Sequence, residues 1–184
     1  MESEPKKLLV LDLDETLVHA TELRLEYTEH FRVGSYFVYQ RPNLADFITT
    51  VAKDFNVAVW TSSGETYADK VIERIFPSGL LQFIWSSKRC TTVRDWNTGQ
   101  YMIIKNLAKL KKHGYALERI IAIDDTPSKY ARSYGNLVTV REFVGDPADT
   151  ELLLLARYLR SLLAVTNVRT VEKRNWRSKL ANEA

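Results

Sequence analysis

The stretch Leu8-Leu9-Val10-Leu11-Asp12-Leu13-Asp14-Glu15-Thr16 decides the fold of this chain. Four consecutive apolar residues that end abruptly in acidic ones describe a parallel strand, buried on both faces, whose carboxyl end faces a site. Carboxylates in that place are costly, because desolvation and mutual repulsion both oppose their ionised forms. A function must compensate. Asp12 and Asp14 point differently on an extended segment, so one can face a substrate as nucleophile while the other acts as acid and base.

Similar runs recur outward from this stretch. Val57-Ala58-Val59-Trp60 precedes Thr61-Ser62-Ser63, Ile120-Ile121-Ala122-Ile123 precedes Asp124-Asp125, and Leu137-Val138-Thr139-Val140 follows Gly135-Asn136. Helical spacing fills the intervals. Asn43 is expected to N-cap a helix with Leu44, Phe47, Ile48 and Val51 on one face, and Thr66 to Ile75, Leu107 to Lys112 and Thr150 to Leu163 supply three more helices. Strands alternating with helices predict an α/β fold, a Rossmannoid three-layer sandwich around a central parallel sheet, with the ligand at the carboxyl ends of the strands. Phe31-Arg32-Val33 and Tyr36-Phe37-Val38-Tyr39 flank Gly34-Ser35, which suits a type II′ hairpin. Together with the alternating Leu23, Leu25 and Tyr27, they predict a small β insertion around residues 20–40, above the site. Trp96 with Asn97-Thr98-Gly99-Gln100-Tyr101 reads as an exposed hairpin turn.

Composition narrows the class. Of 184 residues, 45% are hydrophobic, with only 5 Pro and 7 Gly, which excludes collagen-like and low-complexity chains. A single cysteine, Cys90, excludes an intramolecular disulfide framework and a Cys-rich zinc site. The net charge of +3 is local: residues 165–184 carry five basic residues against two acidic ones, and the rest is balanced. That distribution describes residues 1–164 as the domain and 165–184 as a basic tail that docks through Trp176, and it argues against a nucleic-acid partner. The polar start of the chain precedes no apolar stretch fit for a signal peptide or membrane span, so the expectation is a cytoplasmic protein with no membrane partner.

The second acidic pair, Asp124-Asp125, also follows a buried run, and carboxylates gathered from separate strand ends suit a hard divalent cation, Mg²⁺. Such a site repels a phosphate dianion unless a metal and a fixed cation bridge the two. Lys105, after Met102-Ile103-Ile104, is the candidate cation. Thr61 and Ser62 offer hydroxyl and backbone N–H groups at another strand end. These parts make a phosphoryl-transfer site.

At these residues the chain resembles the haloacid dehalogenase superfamily, and within it the small C-terminal-domain phosphatases. Asp12-Leu13-Asp14-Glu15-Thr16-Leu17-Val18-His19 is similar to the family signature, and Arg41-Pro42, Thr61-Ser62-Ser63, Tyr67-Ala68, Lys105 and Asp124-Asp125-Thr126-Pro127 resemble its later motifs in order. The resemblance implies attack of Asp12 on phosphorus to give an aspartyl-phosphate, with Asp14 protonating the leaving alkoxide and then activating water. It implies Thr61 and Lys105 on the phosphoryl oxygens, and Mg²⁺ held by the Asp12 carboxylate, the Asp14 carbonyl and Asp125. Asp124 would orient Lys105 or a metal-bound water, and Thr16 would fix the loop. The substrate implied is phosphoserine or phosphothreonine in protein; a small phosphorylated metabolite is the alternative, and a non-catalytic binding module a second one. Three departures stand out. Asp125 replaces a frequent Asn, the segment from His19 to Arg41 is shorter than in eukaryotic members, which bears on their proline pocket, and Ser87 stands where an Arg is common, with Lys88 and Arg89 beside it as a positive rim.

Overall fold

The computed structural model of the chain describes residues 5–94, 96 and 99–182. The chain runs β1 (Lys7–Leu11), β2 (Val18–Thr21), β3 (Phe31–Val33), β4 (Tyr36–Gln40), α1 (Leu44–Asp54), β5 (Phe55–Trp60), α2 (Glu65–Ile75), β6 (Ile84–Trp85), β7 (Thr91–Arg94), β8 (Tyr101–Ile104), β9 (Ile120–Asp124), β10 (Leu137–Thr139), α3 (Glu151–Ser161) and α4 (Trp176–Asn182). Five strands form one parallel sheet in the order β10-β9-β1-β5-β6.

The apolar runs are continuous because both sheet faces are covered, and strand alternation splits each run between two cores. Leu9, Leu11, Val57, Val59, Ile121 and Ile123 pack on one side, whereas Leu8, Val10, Ala58, Trp60, Ile120 and Ala122 pack on the other. The first side is covered by Leu44, Phe47, Ile48 and Val51 of α1, Ala68, Val71 and Ile72 of α2, and Leu152, Leu155 and Leu159 of α3. Each of these side chains except Ala68 contributes about 1.5–3 kcal/mol when fully buried, which makes the amphipathic stripes the main drive for the layering. The second side is thinner. It is covered by Leu107, Leu110 and Tyr130, from the 3₁₀ segments Leu107–His113 and Pro127–Tyr130. The helix expected over Leu107 to Lys112 is therefore 3₁₀, starting where the Asn106 side chain accepts the Ala108 N–H at 3.1 Å and stopping at Gly114 (φ 84°).

Two local expectations change. Asn43 does precede α1, but its left-handed backbone (φ 64°) leaves the side chain without a capping bond, since a capping oxygen reaches the first turn from extended backbone. The insertion is a three-stranded antiparallel sheet, β2-β4-β3, rather than a lone hairpin. Gly34 has φ 59° between the paired Val33 and Tyr36, as the turn requires. Its third strand is Val18–Thr21, grown directly from the acidic motif, while Leu23 lies outside any strand and is exposed.

Beyond residue 164, Val168, Trp176 and Leu180 join the first core. Trp176 is fully buried, stacks on Tyr158 with ring centroids 5.3 Å apart, and donates its indole N–H to Thr139 O of edge strand β10 at 2.9 Å. The expected turn after β7 includes an exposed Trp96, whereas Asn97 and Thr98 lie outside the described residues. Among the described residues, no helix is long and apolar enough to cross a membrane.

Candidate active site

Register brings the acidic ends together. Leu11 pairs with both Val59 and Ile123, so Asp12 emerges beside the end of β5 and beside Asp124, and its N–H donates to Ile123 O at 3.0 Å. The chain then turns tightly. Leu17 and Val18 both donate to Leu13 O, and Glu15 takes a left-handed backbone (φ 58°). That turn is held from outside: Phe143 N–H donates to Glu15 O at 2.7 Å, and Arg41 Nη1 donates to Thr16 O at 3.0 Å. The buried Arg41 guanidinium also grips Asp149 with two bonds of 2.8 and 2.9 Å. His19 Nδ1 meets Glu15 Oε2 at 2.7 Å, a contact that supports the loop.

Asp12 and Asp124 are both buried, and two ammonium groups bridge them. Lys105 Nζ lies 2.8 Å from Asp12 Oδ1 and 2.6 Å from Asp124 Oδ2; Lys129 Nζ lies 3.1 Å from Asp12 Oδ2 and 3.4 Å from Asp124 Oδ1. Burial by itself would raise the Asp12 carboxyl, but Lys105 and Lys129 hold it below the ordinary carboxylate range, which keeps it an anion. Asp124 goes the other way: burial and the neighbouring Asp12 push it up to about 7 despite the lysines. Repulsion between two close carboxylates separates their titrations in this manner.

Asp14 sits in a different environment. Its two oxygens accept from the Ser63 hydroxyl and the Tyr67 hydroxyl, each at 2.6 Å. Ser63 follows β5 and Tyr67 lies in the first turn of α2, so the end of one strand and the start of the next helix converge on one carboxyl group. Burial and the Asp14 charge push the Tyr67 hydroxyl far up, so it stays a proton donor.

Three carboxylates, Asp12, Asp124 and Asp125, each offer an oxygen within 4.8 Å of one another. Asp125 is steadied by the Thr126 hydroxyl at 2.9 Å and the Thr16 hydroxyl at 3.4 Å. The donor set consists of hard anionic oxygens, and Asp12 Oδ1, although beside Lys105, receives no well-directed hydrogen bond. These residues fit a hard divalent cation. The Asp14 carboxylate is not among them, being turned to Ser63 and Tyr67.

The structure thus brings Asp12, Lys105, Asp124 and Asp125 to one point, with Asp14 alongside. Thr61 is fully buried at the end of β5, where its Oγ1 accepts the Ser63 N–H at 3.0 Å. Ser62 follows it half-buried at the same strand end, and the Ser63 hydroxyl reaches Asp14. Lys88 is paired with Glu65, and Arg89 stacks over the Trp85 ring at 5.4 Å, so both basic residues of the expected rim have intramolecular partners. The Cys90 thiol is pushed up by burial and faces Thr61 O at 3.8 Å. Sequence reasoning missed Lys129 and the grip of Ser63 and Tyr67 on Asp14. The hydroxyl and aromatic residues stood in the recognised motif order, but nothing in their spacing told which oxygen they would reach.

The sequence matches the NLI interacting factor-like phosphatase family over residues 7–169. CTD small phosphatase-like protein 2 of Dictyostelium discoideum is 33% identical over 91% of this chain and 29% of its own length. Nuclear envelope morphology protein 1 of Saccharomyces cerevisiae is 29% identical over 93% of this chain and 42% of its own length, and CTD nuclear envelope phosphatase 1 of Xenopus tropicalis is 28% identical over 92% and 72%. The chain thus spans less than half the length of the first two of these relatives. In fold it is similar to the fission yeast RNA polymerase II CTD phosphatase Fcp1 bound to beryllium fluoride, with a TM-score of 0.56 at 17% identity over 97% of this chain and 55% of that one. A haloacid dehalogenase-like hydrolase from Xanthomonas campestris gives a TM-score of 0.57 at 13% identity over 89% and 99%. The expectation of a cytoplasmic protein is overturned by relatives named for the nuclear envelope, because a balanced charge and the absence of an apolar span carry no address. With the ordered motifs, the parallel sheet and the clustered aspartates in agreement, the chain belongs to the NLI interacting factor-like phosphatase family, on the haloacid dehalogenase fold.

Proposed function

We propose that the chain is a Mg²⁺-dependent phosphomonoester hydrolase that works through an aspartyl-phosphate and acts on phosphoserine or phosphothreonine in protein. The observation that carries this reading is the contrast between two carboxyl groups two residues apart. Asp12 is buried, clamped between ammonium groups and kept anionic, as a nucleophile must be. Asp14 is held by hydroxyls, which can both donate and accept, as suits a group that alternates between acid and base.

An Asp12 oxygen attacks phosphorus, forming the O–P bond as the bond to the leaving alkoxide breaks, and Asp14 delivers the proton to that alkoxide. Asp14 then takes a proton from water, whose oxygen attacks phosphorus and breaks the Asp12–P bond, releasing inorganic phosphate. Lys105 and Thr61 steady the phosphoryl oxygens. The Asp12 and Asp125 carboxylates, with the Asp14 carbonyl, would hold Mg²⁺, which when bound neutralises charge on the phosphoryl group; Asp124 would orient Lys105 through one oxygen and serve the metal or a water on it through the other. A recess of about 340 Å³ beside Asp14, walled by Ala20, Tyr36 and Tyr67, shares those two tyrosines with a second recess of about 280 Å³ along the β3–β4 turn, and this extended surface favours a protein substrate over a metabolite.

The test is phosphate release from an aryl phosphate and from phosphoserine and phosphothreonine peptides, with Mg²⁺, with EDTA, and with Asp12→Asn. Loss of release in both of the last two arms is expected, and activity that survives both sinks the mechanism. A kcat/KM for small phosphorylated metabolites that exceeds the peptide values by orders of magnitude replaces the substrate reading. No release from any substrate, alongside a tight protein partner, replaces catalysis with binding.

A further inference from the structure

Lys105 and Lys129 close a ring with Asp12 and Asp124, each ammonium taking one oxygen from each carboxylate. The two lysines are not equivalent. Lys105 has no side-chain exposure and enters from the end of β8, whereas Lys129 retains 18% and lies in the short 3₁₀ turn Pro127–Tyr130 that follows Asp125. Lys129 is also the longer-range partner, at 3.1 and 3.4 Å against 2.8 and 2.6 Å.

The oxygens that Lys129 holds belong to two of the three carboxylates gathered for a cation. An ammonium and a hard divalent ion compete for such oxygens, because both need the same lone pairs and they repel each other. Lys105 is packed in place over the Tyr130 ring, 5.8 Å from its centroid, while Lys129 has a flexible four-carbon stem and an opening to solvent. Of the two, only Lys129 has somewhere to go.

Building on the metal-dependent reading above, we propose that Lys129 is the displaceable counter-ion of the metal site. It neutralises Asp12 and Asp124 while no divalent cation is bound, and it yields their oxygens when one binds. Its ammonium then moves to the solvent side, where it meets an incoming phosphoryl group. The metal affinity of this chain is accordingly an exchange affinity, weakened by the cation already in place. Asp12 never stands as an uncompensated buried charge, with or without metal.

The test is calorimetric titration of Mg²⁺ into the full chain and into Lys129→Met, Lys129→Gln and Lys129→Arg, with folding checked by circular dichroism. The two neutral variants should bind Mg²⁺ about 10- to 100-fold more tightly than the parent, the range in which groups neighbouring metal ligands act, while the arginine variant stays close to the parent. Glutamine covers the case in which methionine prevents folding. With Mg²⁺ saturating, inorganic phosphate should bind the neutral variants more weakly. Unchanged or weaker Mg²⁺ binding in a folded neutral variant overturns the role of Lys129 and leaves metal dependence standing. Absence of Mg²⁺ binding in the parent and in all three variants overturns both.

Discussion

The backbone N–H of Lys105 donates to the carbonyl of Lys129 at 2.7 Å, so the two lysines that neutralise the site are joined through the main chain as well as through shared carboxylates. Removal of either ammonium is therefore felt by the whole cluster. Lys105→Met leaves the buried Asp12 and Asp124 with Lys129 alone, and breaking a buried pair costs about 3–5 kcal/mol. Urea unfolding should show a loss of that size, and the double variant Lys105→Met/Asp124→Asn should recover part of it. On the proposed mechanism, phosphate release should be lost in both.

Asp14 offers a second measurement. Each hydroxyl bond to this carboxylate is worth about 1.5–3 kcal/mol, so Ser63→Ala and Tyr67→Phe should each lower kcat about 10- to 100-fold. The two act on one carboxyl group and should not combine additively, which a double-mutant cycle on kcat reads directly. Full additivity would mean that the two hydroxyls do not work through Asp14.

The Arg41–Asp149 pair predicts an acid limb. Burial would raise the Asp149 carboxyl, but the bonds from Arg41 and from the Glu151 N–H hold it below its ordinary value of 3.8. A lowered folded-state pKa means that the contribution is complete above 3.8 and fades as pH falls through the folded value. Thermal midpoints of Asp149→Asn should lie below those of the parent near neutral pH, with the gap narrowing as pH falls below 3.8. A gap that widens on acidification contradicts the assignment.

Trp176 predicts that residues 165–182 are part of the folded unit. Trp176→Ala removes a fully buried indole and its bond to the edge strand, at a cost of about 3–5 kcal/mol. Proteolytic cleavage after the basic residues Arg169 to Arg177 should accelerate in the variant. An unchanged unfolding midpoint would show that the segment packs without contributing.

Lys173 adds a basic limb. Burial lowers its ammonium to about 8 from 10.5, where it donates to the carbonyls of Val168 and Val171. The unfolded chain then holds the extra proton between those values, so stability should rise across that window as pH increases. Lys173→Met should flatten the rise, as denaturant titrations at several pH values will show.

Strand runs such as Leu8–Leu11 and Ile120–Ile123 were legible because a strand covered on both faces needs unbroken apolar sequence, and the spacing of Leu44, Phe47, Ile48 and Val51 was legible because one face of α1 meets the sheet. The short 3₁₀ cover over the second face was not, since periodicity over six residues does not separate 3₁₀ from α. The insertion was half legible: the Gly34 turn is local chemistry, whereas β2 is chosen by its pairing with β4, a long-range event.

What the sequence by itself determined was the set of reactive groups and the strand ends that carry them, because acidic residues directly after buried apolar runs are too costly to keep unless a cation or a substrate compensates them. Tertiary structure decided the environment of each group. Residue type and spacing alone do not tell Asp12 from Asp14; the motif order does, and the packing of Lys105 and Lys129 on one, and of Ser63 and Tyr67 on the other, supplies the physical difference. The physical reason is that a carboxyl group's charge and proton affinity depend on which charges and donors lie within a few ångströms, and those come from residues as many as 117 positions away.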